Sequence, residues 1–199
     1  MCGLYSFRKS AEETRNLLNY VERPDFPPRT FVTPGGPMAI VRIDRGERHF
    51  ALVRWGLIPS WVKDPREFST LINARSETVT EKPSFRGSIR HRRCLVPSDG
   101  FYEWTGKAGS KIPHLIRYKS HEPIAFAGVW EHWLGADGSE LETMAILTAA
   151  ANADVAAIHD RMPVLVSPQN FERWLDCRPG TAEHVLELLR PAPEGVLEI

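Results

Sequence analysis

Six short runs rich in β-branched and aromatic residues constrain the fold of this 199-residue chain more than any other feature. They are Met38–Ile43, His49–Trp55, Cys94–Val96, Pro113–Tyr118, Ile124–Trp130 and Met144–Thr148. Asp44-Arg45-Gly46-Glu47 is a turn signal between the first two, and Gly135-Ala136-Asp137-Gly138 is one between the last two. A parallel sheet wound from βαβ units would need strand and helix patterns in regular alternation, and that alternation is absent. The expected fold is therefore α+β: a single domain over residues 2–199, built on a mainly antiparallel, barrel-like sheet with flanking short helices.

Helix signals are local. Ser10-Ala11-Glu12-Glu13 is a capping box, and Leu17, Leu18 and Val21 follow at helical spacing, so a helix is predicted over 11–21. Five prolines and two glycines in residues 23–37 predict an extended, stiff segment. Asn152 predicts a capped short helix reaching Ile158. Ser167-Pro168 places Ser at the N-cap and Pro at the first helical position of a helix carrying Phe171, Trp174 and Leu175. Thr181 predicts a last helix through Leu189, stopped by Pro191.

The net charge is zero, but the charges are unevenly placed. Residues 1–119 carry 21 Lys/Arg against 12 Asp/Glu, and residues 120–199 carry 4 against 13. The densest basic stretch is Arg86, Arg90, His91, Arg92 and Arg93. Such asymmetry fits a nucleic-acid surface, and it fits equally a fold whose two halves pair with each other. No run of eighteen apolar residues could form a membrane-spanning helix, and the N-terminus lacks the basic-then-apolar order of a secretory signal. Cys2, Cys94 and Cys177 form neither a disulfide framework nor a zinc pattern, which fits a reducing cytosol.

Cys2 follows Met1 directly. If Met1 is removed, position 2 carries an α-amine and a thiol on adjacent carbons. The amine condenses with an aldehyde to an imine, and the thiol then closes on the imine carbon to give a thiazolidine. Groups with ordinary values of roughly 8 and 8.5 are both partly reactive at neutral pH. Read alone, Cys2 is equally a chance residue on a terminus.

Four internal stretches carry further chemistry. In Trp55-Gly56-Leu57-Ile58-Pro59-Ser60-Trp61 the tryptophans are either a core corner or a stacking wall for bases. In Asn73-Ala74-Arg75-Ser76-Glu77 the amide of Asn73 donates and accepts, and the planar fork of Arg75 suits a phosphate. Glu103 sits between Tyr102 and Trp104, where an apolar setting favours the neutral carboxyl and suits a general acid; the alternative is a strand glutamate facing solvent. In Ile158-His159-Asp160-Arg161-Met162-Pro163, His159 is placed for acid–base work or for a structural hydrogen bond. The histidines are scattered, so no metal site and no other cofactor is expected.

Together these blocks resemble the SOS response-associated peptidase family. Met-Cys-Gly, Trp-Gly-Leu-Ile-Pro-Ser-Trp, Asn-Ala-Arg-Ser-Glu-Thr, Glu-Lys-Pro-Ser-Phe, Arg-Arg-Cys-Leu-Val-Pro, Gly-Phe-Tyr-Glu-Trp and Ile-His-Asp-Arg-Met-Pro occur in the family's order over residues 2–163. The resemblance implies a sensor and shield for abasic sites in single-stranded DNA, acting as a monomer in the DNA-associated cytoplasm. It implies that Cys2 is the nucleophile, that Asn73 positions the sugar or the α-amine, and that Glu103 is the acid/base for imine formation and reversal. It implies that His159 assists sugar ring opening, that Arg75, Arg86 and Arg161 hold phosphates, and that Thr148 makes a polar contact near the lesion. Trp55, Phe68 and Pro37 are implied as base contacts. One departure is Leu4, where many members carry Arg, with Arg8 or Lys9 as candidate replacements. Two other readings stay open: a cysteine peptidase using Cys2 and His159, including self-removal of Met1, and a non-catalytic single-stranded DNA binder.

Overall fold

A computed structural model describes residues 3–22 and 26–199. The chain begins with strand β1 (Tyr5–Phe7) and helix α1 (Ala11–Leu18). The capping box forms as predicted: Ser10 Oγ accepts from the Glu13 amide at 3.2 Å, and Glu13 accepts from the Ser10 amide at 2.9 Å. The helix stops at Leu18, short of the predicted Val21, because Asn19 turns left-handed with φ 51°. Strand β2 (Arg29–Val32) then lies within the segment predicted to be merely extended.

Strands β3 (Pro37–Asp44) and β4 (Glu47–Trp55) form the predicted hairpin. Its two-residue turn, Arg45-Gly46, has φ of 49° and 86°, the left-handed pair that matches strand twist. A three-residue strand, β5 (Asn73–Arg75), and a short helix, α2 (Arg86–His91), lead to β6 (Arg93–Ser98), β7 (Gly100–Thr105) and β8 (Ile112–Tyr118). The long pair β9 (Ile124–Leu134) and β10 (Glu140–Ala150) precedes β11 (Arg161–Pro163), α3 (Phe171–Leu175) and β12 (Leu197–Glu198). Ser167-Pro168 starts a 3₁₀ turn that runs into α3, as its N-terminal signal predicts. The other two predicted helices are corrected. Residues 153–158 form turns, held where the Asn152 side chain accepts from the Val155 amide, and Glu183–Leu188 is a 3₁₀ helix. Both segments close tight three-residue bonds, from the Ile158 amide to the Val155 carbonyl at 2.8 Å and from the Leu189 amide to the Leu186 carbonyl at 3.0 Å.

Five strands close into a barrel in the order β10, β4, β3, β6, β9 and back to β10. An odd ring cannot alternate direction throughout, so one neighbouring pair must run parallel. That pair is β4 with β10. The second sheet, ordered β12-β8-β7-β1-β2, is antiparallel throughout. Its Tyr5, Phe101 and Ile116 share one apolar core with the barrel's Ile40, Trp55, Phe126 and Met144, all fully buried. The α+β architecture on a mainly antiparallel barrel with short helices is the one the strand spacing predicts. Among the described residues, no helix is long and apolar enough to cross a membrane.

Pairing within the fold uses part of the charge asymmetry. Arg42 holds Glu142 through two bonds of 2.6 and 3.2 Å, Arg92 holds Glu131 at 2.8 Å, and Arg117 holds Glu198 at 2.9 Å. Each pair joins a cation of residues 1–119 to an acid of 120–199. Arg93 is only 1 % exposed and is a structural residue, although its sequence neighbours place it in the basic stretch.

Candidate functional site

The C-terminal half of β10 is the scaffold of the site. Beyond the stretch paired with β4 and β9, its last residues take β5 on one side, with Thr148 opposite Arg75, and β11 on the other, with Ala150 opposite Arg161. Two three-residue strands, neither with a readable sequence pattern, thereby bring the Asn73–Glu77 segment against the His159–Pro163 segment. The Thr148 carbonyl accepts from both, from the Ser76 amide at 2.8 Å and from Arg161 Nη2 at 2.6 Å.

Glu103 arrives from the other sheet. It lies on β7 with only 2 % of its surface exposed, and one carboxylate oxygen is 4.0 Å from His159 Nε2. Burial raises its carboxyl above the ordinary value, and the neighbouring imidazole opposes that shift. The Arg161 backbone N–H donates to His159 Nδ1 at 2.9 Å. That bond favours an accepting Nδ1 and, in the neutral ring, a proton on Nε2, facing Glu103. Asp160 also lies 3.0 Å from Nδ1, but its side chain is 85 % exposed and well screened by water.

The N-terminal strand leads to this carboxyl. Tyr5 pairs with Phe101, Ser6 with Gly100, and the Leu4 carbonyl accepts from the Tyr102 amide at 2.9 Å. Continuing the register sets Gly3 level with Glu103. Cys2 itself lies outside the described residues. Arg8 and Lys9 are past the opposite end of β1, roughly 13 Å along the strand from Leu4. They pair with Asp99 and Glu13, so neither stands in for a cation at position 4.

The remaining sequence candidates divide. Asn73 is half-buried on β5, and Arg75 and Arg86 are exposed, with no ion pair among the described residues. Trp55 is corrected: it is fully buried, packs edge-on to Tyr5 at 5.6 Å, and donates from Nε1 to the Ile72 carbonyl at 2.9 Å. No base reaches it, and its role is to pin the residue before Asn73. The exposed ring of that motif is Trp61, 59 % exposed, with half-buried Phe68 set edge-on against it at 5.9 Å. The motif names two tryptophans, and only the sheet decides which one faces out. Pro37 is exposed at the start of β3. Thr148 is fully buried, and Arg161 Nη2 donates to its hydroxyl at 3.3 Å, so that hydroxyl is not open to a lesion. The fork of Arg161 is engaged by Glu77, at 2.6 and 2.9 Å, leaving little of it for a phosphate. A cleft of about 220 Å³ joins Trp61 to Arg86, Arg90 and Arg92. Among the described residues, no group of three His, Cys, Asp or Glu could hold a metal ion.

The family model "SOS response associated peptidase (SRAP)" matches residues 1–199. The chain belongs to this family. It is 36% identical over 195 residues to the abasic site processing protein YoqW of Bacillus subtilis, covering 96% of this chain and 87% of that protein. It is also 36% identical over 174 residues to the abasic site processing protein HMCES of Gallus gallus, covering 75% of this chain and 52% of that protein. A crystal structure of a Bacteroides thetaiotaomicron protein superposes with a TM-score of 0.88 at 28% identity, over 99% of this chain and 90% of that one.

Proposed function

We propose that this protein processes abasic sites in single-stranded DNA by trapping the ring-opened sugar aldehyde on Cys2. The observation that carries the reading is the buried carboxyl of Glu103, facing His159 Nε2 at 4.0 Å and level with Gly3 when the register of the N-terminal strand is continued. Relatives named for abasic-site processing support it.

In the proposed reaction the α-amine of Cys2 adds to the aldehyde carbon. Water leaves, and an imine forms. The thiol sulfur then bonds to the imine carbon while its proton passes to nitrogen, closing the thiazolidine with net loss of one water. A neutral carboxyl at Glu103 donates the proton that the departing hydroxyl needs and regains one from the nitrogen as the imine forms; reversal runs the same transfers backwards. His159, with its proton on Nε2, assists sugar ring opening. Asn73 orients the sugar or the amine. Arg75 and Arg86 hold phosphates, and Trp61 with Phe68 offers a stacking surface for a neighbouring base. Residues 2–199 act as one domain, and the protein acts as a monomer associated with DNA in the cytoplasm.

The test is single-stranded DNA carrying one abasic site. The expected result is a shifted band that survives denaturation, lost in Cys2→Ser, which keeps the amine but lacks the ring-closing thiol. Absence of the band from the wild type sinks the trapping reaction. Cys2-dependent cleavage of unrelated peptides would establish the peptidase reading instead. Salt-sensitive binding with no adduct would leave a plain single-stranded DNA binder.

The arginines make a separate prediction. Counterion release on single strands lowers log K by about 0.7 per log unit of salt for each phosphate contact. Arg75→Ala and Arg86→Ala are each expected to weaken binding and to flatten the salt slope by about that amount. An unchanged slope in either variant removes that residue from the phosphate contacts.

A further inference from the structure

Glu77 ends the Asn73–Glu77 segment and takes no part in the chemistry described above. Its two carboxylate oxygens grip Arg161 Nη1 and Nη2 at 2.6 and 2.9 Å, the two-point geometry in which a guanidinium holds a carboxylate most firmly. The same Nη2 donates to the Thr148 carbonyl at 2.6 Å, so Arg161 is tied on one side to Glu77 and on the other to β10. The Arg161 backbone N–H is the donor that favours His159 Nδ1 as an acceptor. A continuous path of short contacts therefore runs from Glu77 through Arg161 to the tautomer of His159. Through the Thr148 carbonyl, which also accepts from the Ser76 amide, the path returns to the segment that carries Asn73.

We propose that Glu77 is a positioning residue of the site. It acts through Arg161 to hold the His159 imidazole with its proton toward Glu103, and to hold Asn73 at a fixed distance from that ring. This rests on the aldehyde-trapping reading and adds a residue to it. The Glu77 side chain is 51 % exposed against 13 % for Arg161, so the carboxylate covers the outer edge of the guanidinium. One consequence is that Arg161 cannot present a free fork to a phosphate while the clasp is closed. A positioning role puts the effect in the chemical step, since a misplacement of about 1 Å can slow a reaction by about a hundredfold.

The experiment measures adduct formation with single-stranded abasic DNA for the wild type, Glu77→Gln and Glu77→Asp, as a maximal rate at saturating DNA and a half-saturating concentration. Glu77→Gln is expected to lower the maximal rate by about 10- to 100-fold with little change in half-saturation, and Glu77→Asp to recover part of the rate. Stronger DNA binding by Glu77→Gln at an unchanged maximal rate overturns the proposal, because Glu77 would then be a competitor of phosphate for Arg161. Unchanged values of both also overturn it, as does a rate loss that Glu77→Asp does not relieve at all. A wild type that forms no adduct rejects the trapping reaction itself. Circular dichroism of each variant confirms that the fold is retained.

Discussion

Glu103→Gln is expected to slow formation of the abasic-site adduct by about 10²- to 10⁴-fold, the range for loss of one well-placed proton donor. Glutamine keeps the size and the hydrogen-bonding edge of the carboxyl but cannot give up a proton at neutral pH. Binding to abasic DNA should survive, because Glu103 is buried and the residues proposed to hold phosphates, Arg75 and Arg86, are exposed. A rate within tenfold of wild type would remove Glu103 from proton transfer. The same variant makes an independent statement about stability. The folded carboxyl has a raised pKa, so the fold resists its ionisation. The unfolded chain ionises at the ordinary value near 4.5, and above it the native state is penalised, fully so once pH passes the folded value. Glu103→Gln removes that penalty. Its melting temperature should exceed that of wild type at about pH 8, and the difference should fade as pH falls below about 4. A deficit relative to wild type that grows as pH rises from about 4 to about 8 would show instead that the charged carboxylate is held favourably.

Arg93→Ala is expected to lose about 3–5 kcal/mol of stability, measured by urea unfolding. The side chain is fully buried between α2 and α3, where helix ends leave backbone carbonyls without helical partners. Nε donates to the Trp174 carbonyl at 2.7 Å, Nη1 to Ile89 at 2.7 Å and to Arg90 at 3.3 Å, and Nη2 to the Asp176 carbonyl. Alanine would strand these acceptors in a dry cavity. Affinity of the folded variant for single-stranded DNA, measured well below its melting point, should match wild type. A loss of affinity with little loss of stability would return Arg93 to the basic surface that its neighbours in sequence suggest.

Arg93 shows what sequence reading could not reach. Arg86, Arg90, Arg92 and Arg93 look alike in the chain, yet Arg86 and Arg90 are exposed, Arg92 pairs with Glu131 and Arg93 caps two helices. What separates them is the distant partner the fold supplies: Glu131 lies 39 positions from Arg92, and Trp174 lies 81 from Arg93. The same holds for Trp55 and Trp61, six residues apart in one motif, one in the core and one in solvent. Local signals fared better wherever the physics is local. The capping box at Ser10 and Glu13 closes within one turn, and Ser167-Pro168 starts its helix where expected. At the β3–β4 turn, Gly46 supplies the left-handed backbone that a two-residue hairpin loop needs.

The sequence by itself determined the antiparallel, barrel-like architecture, because strand spacing and turn chemistry are written in neighbouring residues. It determined the family, through seven ordered blocks. It also held every residue of the proposed reaction. Only the tertiary structure decided how those residues meet. Strands β5 and β11 are three residues long and exist because the end of β10 offers them pairing on both sides. Glu103 faces His159 because one barrel and one separate sheet bury a common core, and burial is what raises its carboxyl. The clasp of Glu77 on Arg161 spans 84 positions and becomes a contact only when those strands align. Proton affinity and side-chain orientation are properties of surroundings, and for these residues the surroundings come from distant parts of the chain.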